Sequence, residues 1–396
     1  MVIKEISRNK YDDFLKKVET YSFLQTSEMK ASLESNNRET KLLALVEDEE
    51  IFAVGLSFIR NFLGGKRIDF MVGASSYNEK YEYLFYDKMK DYAKENGYLK
   101  LVIKLDKDFR KYDQEGKPLT DEDYSTFYKM QELGYIRNDG TVPEYDGSPD
   151  YQFVKDLSDF LPDDYDNLLN SFNKNAQRKI KKAKELDIRV REIKKNEMED
   201  FKSLTLETAK RQGFGDKSID YYNTFYDEFS DKKEFLVAEI NLNNSIKRLE
   251  EILSGIKENN KNKQRRDSLK NEIESLKDLK EDASRDIIPL ANMILVYQNN
   301  QAIYFLGGSL TKYQKLPGPF ILQFEAMKRI MKRGIKTYNF FGIDGVYDGS
   351  DGVLRFKQNF NGYIVRKTGA FIYYPFPKKY KSLLFLKKSK NKLSNI

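Results

Sequence analysis

Twice along this chain the same run of signals recurs, and that recurrence restricts the fold more than any single motif. In the first pass, Leu42–Glu47 and Ile51–Ile59 read as a strand pair across a short acidic turn, with Lys66–Val72 as a third strand. Asn78–Asn96 carries Tyr81, Leu84, Phe85, Met89 and Tyr92 at helical spacing. Gly97 stands where a helix C-cap favours a left-handed residue, and Tyr98–Leu105 is a buried strand. In the second pass, Phe235–Ile240, Ile288–Tyr297 and Ala302–Gly308 are strands. Phe320–Lys332 is a helix with Ile321, Phe324, Met327 and Ile330 or Met331 inward, Gly334 ends it, and Ile335–Phe341 is a strand. Strand, strand, helix, glycine, strand occurs in both halves with little residue identity, which predicts two copies of one α/β unit. Further helices are expected at Asn9–Thr20 and Asp121–Leu133.

The second copy is interrupted. Leu242, Ile246, Leu249, Leu253 and Ile256 repeat at alternating steps of four and three, as do Leu269, Ile273 and Leu276, across the polar run Lys257–Asp267. This pattern predicts an antiparallel helical hairpin, a coiled-coil arm whose single apolar seam lets it project into solvent. A chain of 396 residues exceeds one ordinary domain. The expected division is a first unit at 1–150 and a second at 151–240 and 287–377. The arm takes 241–286, and a basic tail takes 378–396.

Cysteine, histidine and tryptophan are absent. That excludes disulfides, thiolate metal sites, a Cys nucleophile and a Ser–His–Asp triad, and it removes the usual general base. No stretch approaches a membrane span, and MVIKEISRNKYDDF holds no apolar signal core, so a cytosolic protein is expected. Net charge is +7. The basic residues concentrate in Asn175–Arg191 and in Lys378–Lys392, where seven lysines flank Leu383, Leu384, Phe385 and Leu386. Such patches suit phosphates, tRNA or an anionic membrane, and read equally well as solvated surface.

Three phrases carry a family likeness: AIYFLGGS at Ala302–Ser309, GIKTYNFFGIDG at Gly334–Gly345, and GVLRFKQNFNG at Gly352–Gly362. In this order, and behind the heptad-spaced insert, they resemble the Fem family of non-ribosomal peptidyltransferases. The resemblance spans roughly residues 20–375 and is most specific from Phe235 to Gly362. It implies an α/β (α+β) chain of two GNAT-like acyltransferase domains with an inserted arm. It implies an enzyme, without a cofactor, that moves Gly, Ala or Ser from aminoacyl-tRNA to the stem peptide of a peptidoglycan precursor. The acceptor would be lipid II or UDP-MurNAc-pentapeptide, with peripheral contact to an anionic membrane. Ester aminolysis needs positioning, loss of a proton and oxyanion stabilisation rather than a deeply tuned base, which suits a chain without His.

The same resemblance implies site residues. Lys357 of the Phe356–Lys357 pair would sit beside the reacting carbonyl as the catalytic residue, with Phe356 lining the aminoacyl-adenosine pocket. Arg211, in TLETAKRQGFGDKSIDYY, would contact the precursor's phosphates; its fork donates two parallel hydrogen bonds. Tyr221 follows at the matching offset. Tyr304 would contact precursor, although strand alternation leaves core packing equally open. The family's lysine on the first helix is missing, since Met29 and Leu33 occupy its positions; Lys30, one turn earlier, is the substitute. Asn173–Lys184 resembles a family helix and reads either as a solvated face or as a phosphate contact. FFGIDGVYDGSDG lacks a P-loop's GK[ST] ending and a calcium loop's terminal Glu, so no metal is expected. Two alternatives stay open: an acyl-CoA-dependent N-acyltransferase, for which LPGPF at Leu316–Phe320 is a poor pyrophosphate loop, and a non-catalytic tRNA-binding or resistance scaffold. The oligomeric state is not legible in the sequence.

Overall fold

Both copies of the repeated unit form, and each builds half of one sheet. The computed structural model describes residues 1–138, 147–213, 215–298 and 300–393, with side chains through Lys387. Asn299, between the strands expected at Ile288–Tyr297 and Ala302–Gly308, and the side chains of Lys388, Lys390 and Lys392 lie outside these residues. The first half comprises β1 (Val2–Glu5), α1 (Arg8–Leu15), α2 (Ser27–Ser35), β2 (Glu39–Glu47), β3 (Glu50–Phe62), β4 (Gly65–Phe70), α3 (Glu79–Glu95), β5 (Lys100–Asp113), α4 (Ser125–Glu132) and β6 (Ile136–Arg137). The second begins with β7 (Tyr151–Asp156), α5 (Tyr165–Asn170), α6 (Lys174–Glu185), β8 (Arg189–Glu192), α7 (Met198–Gln212), α8 (Ile219–Glu228) and β9 (Lys233–Asn241). It continues with α9 (Leu242–Gly255), α10 (Lys263–Glu281), β10 (Ile287–Tyr297), β11 (Gln301–Ser309), α11 (Gly318–Lys332), β12 (Thr337–Ile343), α12 (Gly352–Lys357), β13 (Tyr363–Tyr373) and α13 (Pro377–Leu393).

The described strands join one sheet in the order β1-β2-β3-β4-β5-β13-β7-β12-β11-β10-β9-β8, with β6 on β13. In the first unit β2, β3 and β4 run antiparallel, α3 crosses over, and β5 returns parallel to β4. In the second, β9, β10 and β11 run antiparallel, α11 crosses over, and β12 returns parallel to β11. Each unit then takes its next strand from a distant part of the chain. β13 pairs with β5, β7 pairs with β12, and β13 and β7 pair with each other, which welds the halves.

One apolar cluster spans the junction, joining Leu24 and Phe58 of the first half to Tyr221, Phe225 and Phe229 of the second. Two helices are shorter than their periodicity implies. α1 ends at Leu15. α4 starts at Ser125 because the Asp123 amide bonds back to Phe109 O on β5 and the Asp123 carboxylate accepts from Ser125 N.

α9 and α10 form the expected helical hairpin, but it does not stand free in solvent. A two-helix seam alone would leave its leucines half exposed. Leu269, Ile273 and Leu276 are instead buried, in one cluster with Ile180, Ala183 and Leu186 of α6 and its C-terminal end. Polar contacts tie the same surfaces together: Lys182 pairs with Glu272, Arg265 with Glu185, and Ser245 Oγ donates to Leu186 O at 2.5 Å. A third helix supplies the cover that the heptad pattern could not reveal. Among the described residues no helix is long and apolar enough to cross a membrane.

Candidate active site

The parallel pairing of β11 with β12 stops after Ile303–Asn339, although β11 runs on to Ser309 and β12 to Ile343. Into the opening between them sinks a cavity of about 530 Å³, walled by Tyr304–Ser309, Phe340–Gly342, the N-terminal end of α11 and α12. Its edge is set by two glycines. A Cβ on Gly308 would lie 2.4 Å from Leu204 O, so only glycine lets α7 press against β11 there. A Cβ on Gly307 would strike Tyr304 Oη at 2.4 Å. The matching opening of the first unit is filled. Beyond the Phe70–Ile103 pair, Ser148 N donates to Met71 O at 3.0 Å, and Gly147 passes so close that its Cβ would sit 2.4 Å from that oxygen.

Four of the expected site residues meet in this cleft although distant in sequence: Arg211, Tyr304, Phe356 and Lys357. Lys357 ends the short helix α12, which Asp351 caps by accepting from Val353 N and Leu354 N. Lys357 is 4% exposed, and its Nζ donates to Phe341 O at 3.3 Å and Gly342 O at 2.5 Å. Among the described residues no carboxylate is within ion-pair distance. Burial therefore brings its amine down to about 7, against the weaker opposing fields of Asp351 and Asp344.

The two carbonyls face the lysine because β12 is bulged. Asn339 pairs with Val154 and Gly342 with Gln152, so β12 carries one residue more than β7 over the same span. Phe341 takes the strain, with φ +65. Phe356 is held edge-on to Phe320 at 5.3 Å and to Phe360 at 5.5 Å, presenting a ring wall beside the lysine.

Arg211, in the last turn of α7, is exposed at the cleft and tethered only by neutral oxygens. Nη1 donates to Thr311 Oγ1 at 2.9 Å and Ser309 O at 3.3 Å, while Nη2 reaches Thr208 Oγ1 at 3.4 Å. Among the described residues no carboxylate neutralises it, so its charge is available to an anion. Lys179 of α6 lines the same cleft. α6 reads in sequence as generally basic; the burial of Ala176, Ile180 and Ala183 determines which of its cations turns toward the cleft.

A second bulge sets how Tyr304 and its neighbours are shared between the cores. Leu295 pairs with Tyr304 and Ile294 with Leu306, which leaves Phe305 unpaired. Phe305 and Leu306 thus both pack on the junction cluster, while Tyr304 goes with the other core and the cleft. Burial raises its hydroxyl to about 12.

The remaining two residues lie elsewhere. Tyr221 is 2% exposed in the junction core, its hydroxyl 3.8 Å from Met29 Sδ. It walls a separate cavity of about 260 Å³ between the halves, with Met29, Leu33 and Arg38. Lys30 pairs with Glu34 at 2.6 Å on α2 and lines neither cavity.

Comparison with known proteins identifies the family. The FemAB family model matches residues 6–388. Aminoacyltransferase FemB of Staphylococcus epidermidis is 30% identical over 325 residues, covering 74% of this chain and 75% of that protein. Aminoacyltransferase FemA of Staphylococcus aureus is 24% identical over 366 residues, covering 86% and 84%. The crystal structure of FemX superposes with a TM-score of 0.68 at 19% identity, over 94% of this chain and 97% of that one. The chain belongs to the FemAB family.

Proposed function

We propose that this chain is an aminoacyltransferase that moves an amino acid from aminoacyl-tRNA to the stem-peptide amine of a peptidoglycan precursor, lipid II or UDP-MurNAc-pentapeptide, on the cytoplasmic side of the membrane. The observation that carries this reading is the convergence of Arg211, Tyr304, Phe356 and Lys357 on one cleft. The stem-peptide amine attacks the ester carbonyl. A C–N bond forms, the bond to the ribose oxygen breaks, and the proton lost by the amine ends on that oxygen. Protonated Lys357 stabilises the oxyanion, and an amine brought to about 7 can relay the proton, passing its own to the leaving ribose oxygen and taking up the one the attacking amine loses. Phe356 and Phe320 offer ring faces to the terminal adenosine. Arg211 and Lys179 offer their charges to phosphates entering the cleft.

Acyl-CoA fits this site poorly. Pro317 and Pro319 at the start of α11 have no N–H, and Phe320 N is spent on Pro317 O. Little backbone is left to cradle a pyrophosphate. Membrane contact falls to α13, where Lys378, Lys379, Lys381 and Lys387 are exposed alongside Phe385 and Leu386. The reading is tested by mixing purified protein with precursor and each charged tRNA in turn. One donor should raise the precursor's mass by one aminoacyl residue. No mass gain with any donor, on either acceptor, rejects the function.

A further inference from the structure

A hydrogen-bonded path, buried at its central links, runs from the first half of the sheet to the cleft lysine. Asp106, on β5, accepts from Ser148 Oγ and from Gln152 Nε2, each at 3.0 Å. Gln152, on β7, accepts in turn from Asn339 Nδ2, on β12, at 2.7 Å. Asn339 Oδ1 accepts from Phe341 N at 2.8 Å, and Phe341 O and Gly342 O receive the ammonium of Lys357. Gln152 and Asn339 are 2% and 4% exposed. Water cannot replace a bond lost there, so each link constrains the next. The constrained element is a strained one. Phe341 sits in the left-handed region that a phenylalanine disfavours, and the bond from its amide to Asn339 holds it there.

We propose that Asn339 and Gln152 are positioning residues for Lys357. They lock the β12 bulge so that two successive carbonyls converge on the ammonium, and through Asp106 they make that geometry depend on the first half. Neither residue lines the cleft, so neither touches substrate. The catalytic consequence rests on the aminoacyltransferase reading above; the positioning does not.

The charged groups around Lys357 are Asp344 and Asp351, on the loop before α12, and Lys179 and Arg211, lining the same cavity. None of them belongs to the path. If the bulge relaxes, the ammonium loses carbonyl acceptors that favour its charged form. Its proton is then held less tightly, and its titration moves to lower pH.

The test follows the Lys357 side chain directly, by NMR titration of lysine-labelled protein, with the resonance assigned by its loss in Lys357→Met. Asn339→Leu should move the midpoint down by about one pH unit, the effect of losing one hydrogen bond to a charged group. Gln152→Met removes the nearer of the two acceptors of Asn339 Nδ2, leaving Gln301 Oε1 at 3.3 Å, without altering β12, and should shift the midpoint the same way by less. Tyr338→Phe, a neighbour on β12 whose hydroxyl donates to Gln323 Oε1, disturbs packing as much and should leave the midpoint in place. With substrates, Asn339→Leu should lower kcat about five- to tenfold at pH 7, as the charged fraction falls, with KM for both substrates within about twofold. A folded Asn339→Leu or Gln152→Met protein with the parental midpoint overturns the proposal. A shifted midpoint in a chain that transfers nothing upholds the positioning and rejects the function.

Discussion

Replacing Lys357 with methionine separates catalysis from stability, because the structure predicts a large loss of the first with little or no loss of the second. Methionine has nearly the lysine's volume and no charge. The parent buries an amine whose proton affinity falls from the ordinary 10.5 to about 7. Below pH 7 that mismatch corresponds to about 5 kcal/mol of unfavourable charge burial. Leaving the Phe341 and Gly342 carbonyls without their donor costs about 1–3 kcal/mol each. The variant should therefore lie between about 1 kcal/mol less and about 3 kcal/mol more stable than the parent near neutral pH, rather than several kcal/mol worse. Between pH 7 and 10.5 the unfolded parent binds more protons than the folded one at this site, so the parent's stability should rise with pH across that window. The variant should lack this contribution. Single-turnover transfer should fall about 100- to 1000-fold, the loss expected for one oxyanion donor. Melting curves at pH 6 and pH 9 and a rapid-quench transfer assay read both effects. Parental transfer rates, or a large loss of stability, would refute the reasoning.

Three further outcomes follow from the same geometry. Arg211→Ala should weaken precursor binding about 10- to 150-fold with a smaller effect on the chemical step, read by calorimetry and initial rates; unchanged Kd and KM remove Arg211 from the site. Leu269→Ala, on the hairpin, should destabilise the protein by about 2–5 kcal/mol in urea, because α6 and the hairpin share one core. A cost near zero would mean the hairpin stands apart. Vesicles containing phosphatidylglycerol should co-sediment the chain, with binding that falls as salt rises and is lost when residues after Pro377 are removed; equal sedimentation with neutral vesicles rejects α13 as an anionic-surface contact.

Local pattern carried the repeated unit well. The apolar runs of β2 and β3 across their acidic turn, the helical spacing of Phe85 and Met89, and the glycines after α3 and α11 are all nearest-neighbour signals, and the elements stand within a few residues of their expected places except β5, which runs eight residues past Leu105 to Asp113. Nothing local announces that β13 will enter the sheet between β5 and β7, since long-range pairing leaves no mark on the strand itself. Nor does NFFGI reveal its bulge; a phenylalanine at positive φ is held there by Asn339 and by the register with Gln152, not by its own preference. The family likeness pointed to Phe356 and Lys357, but the depressed proton affinity of the lysine depends on burial by residues far away in sequence. Lys30 and Tyr221 illustrate the converse. Helix-face arithmetic placed Lys30 near a family position, yet Glu34 claims it, and the aromatic spacing around Tyr221 belongs to the junction core.

The central claim is that aminoacyl transfer occurs in the opening between β11 and β12. A tRNA with a photoreactive adenosine at its 3′ end, crosslinked to the protein and mapped by peptide mass spectrometry, tests it most directly. The account predicts adducts on Tyr304–Ser309 and Gly352–Lys357, lost when unmodified aminoacyl-tRNA competes. Adducts confined to the α9–α10 hairpin, or to the filled opening at Met71 and Ser148, would contradict it.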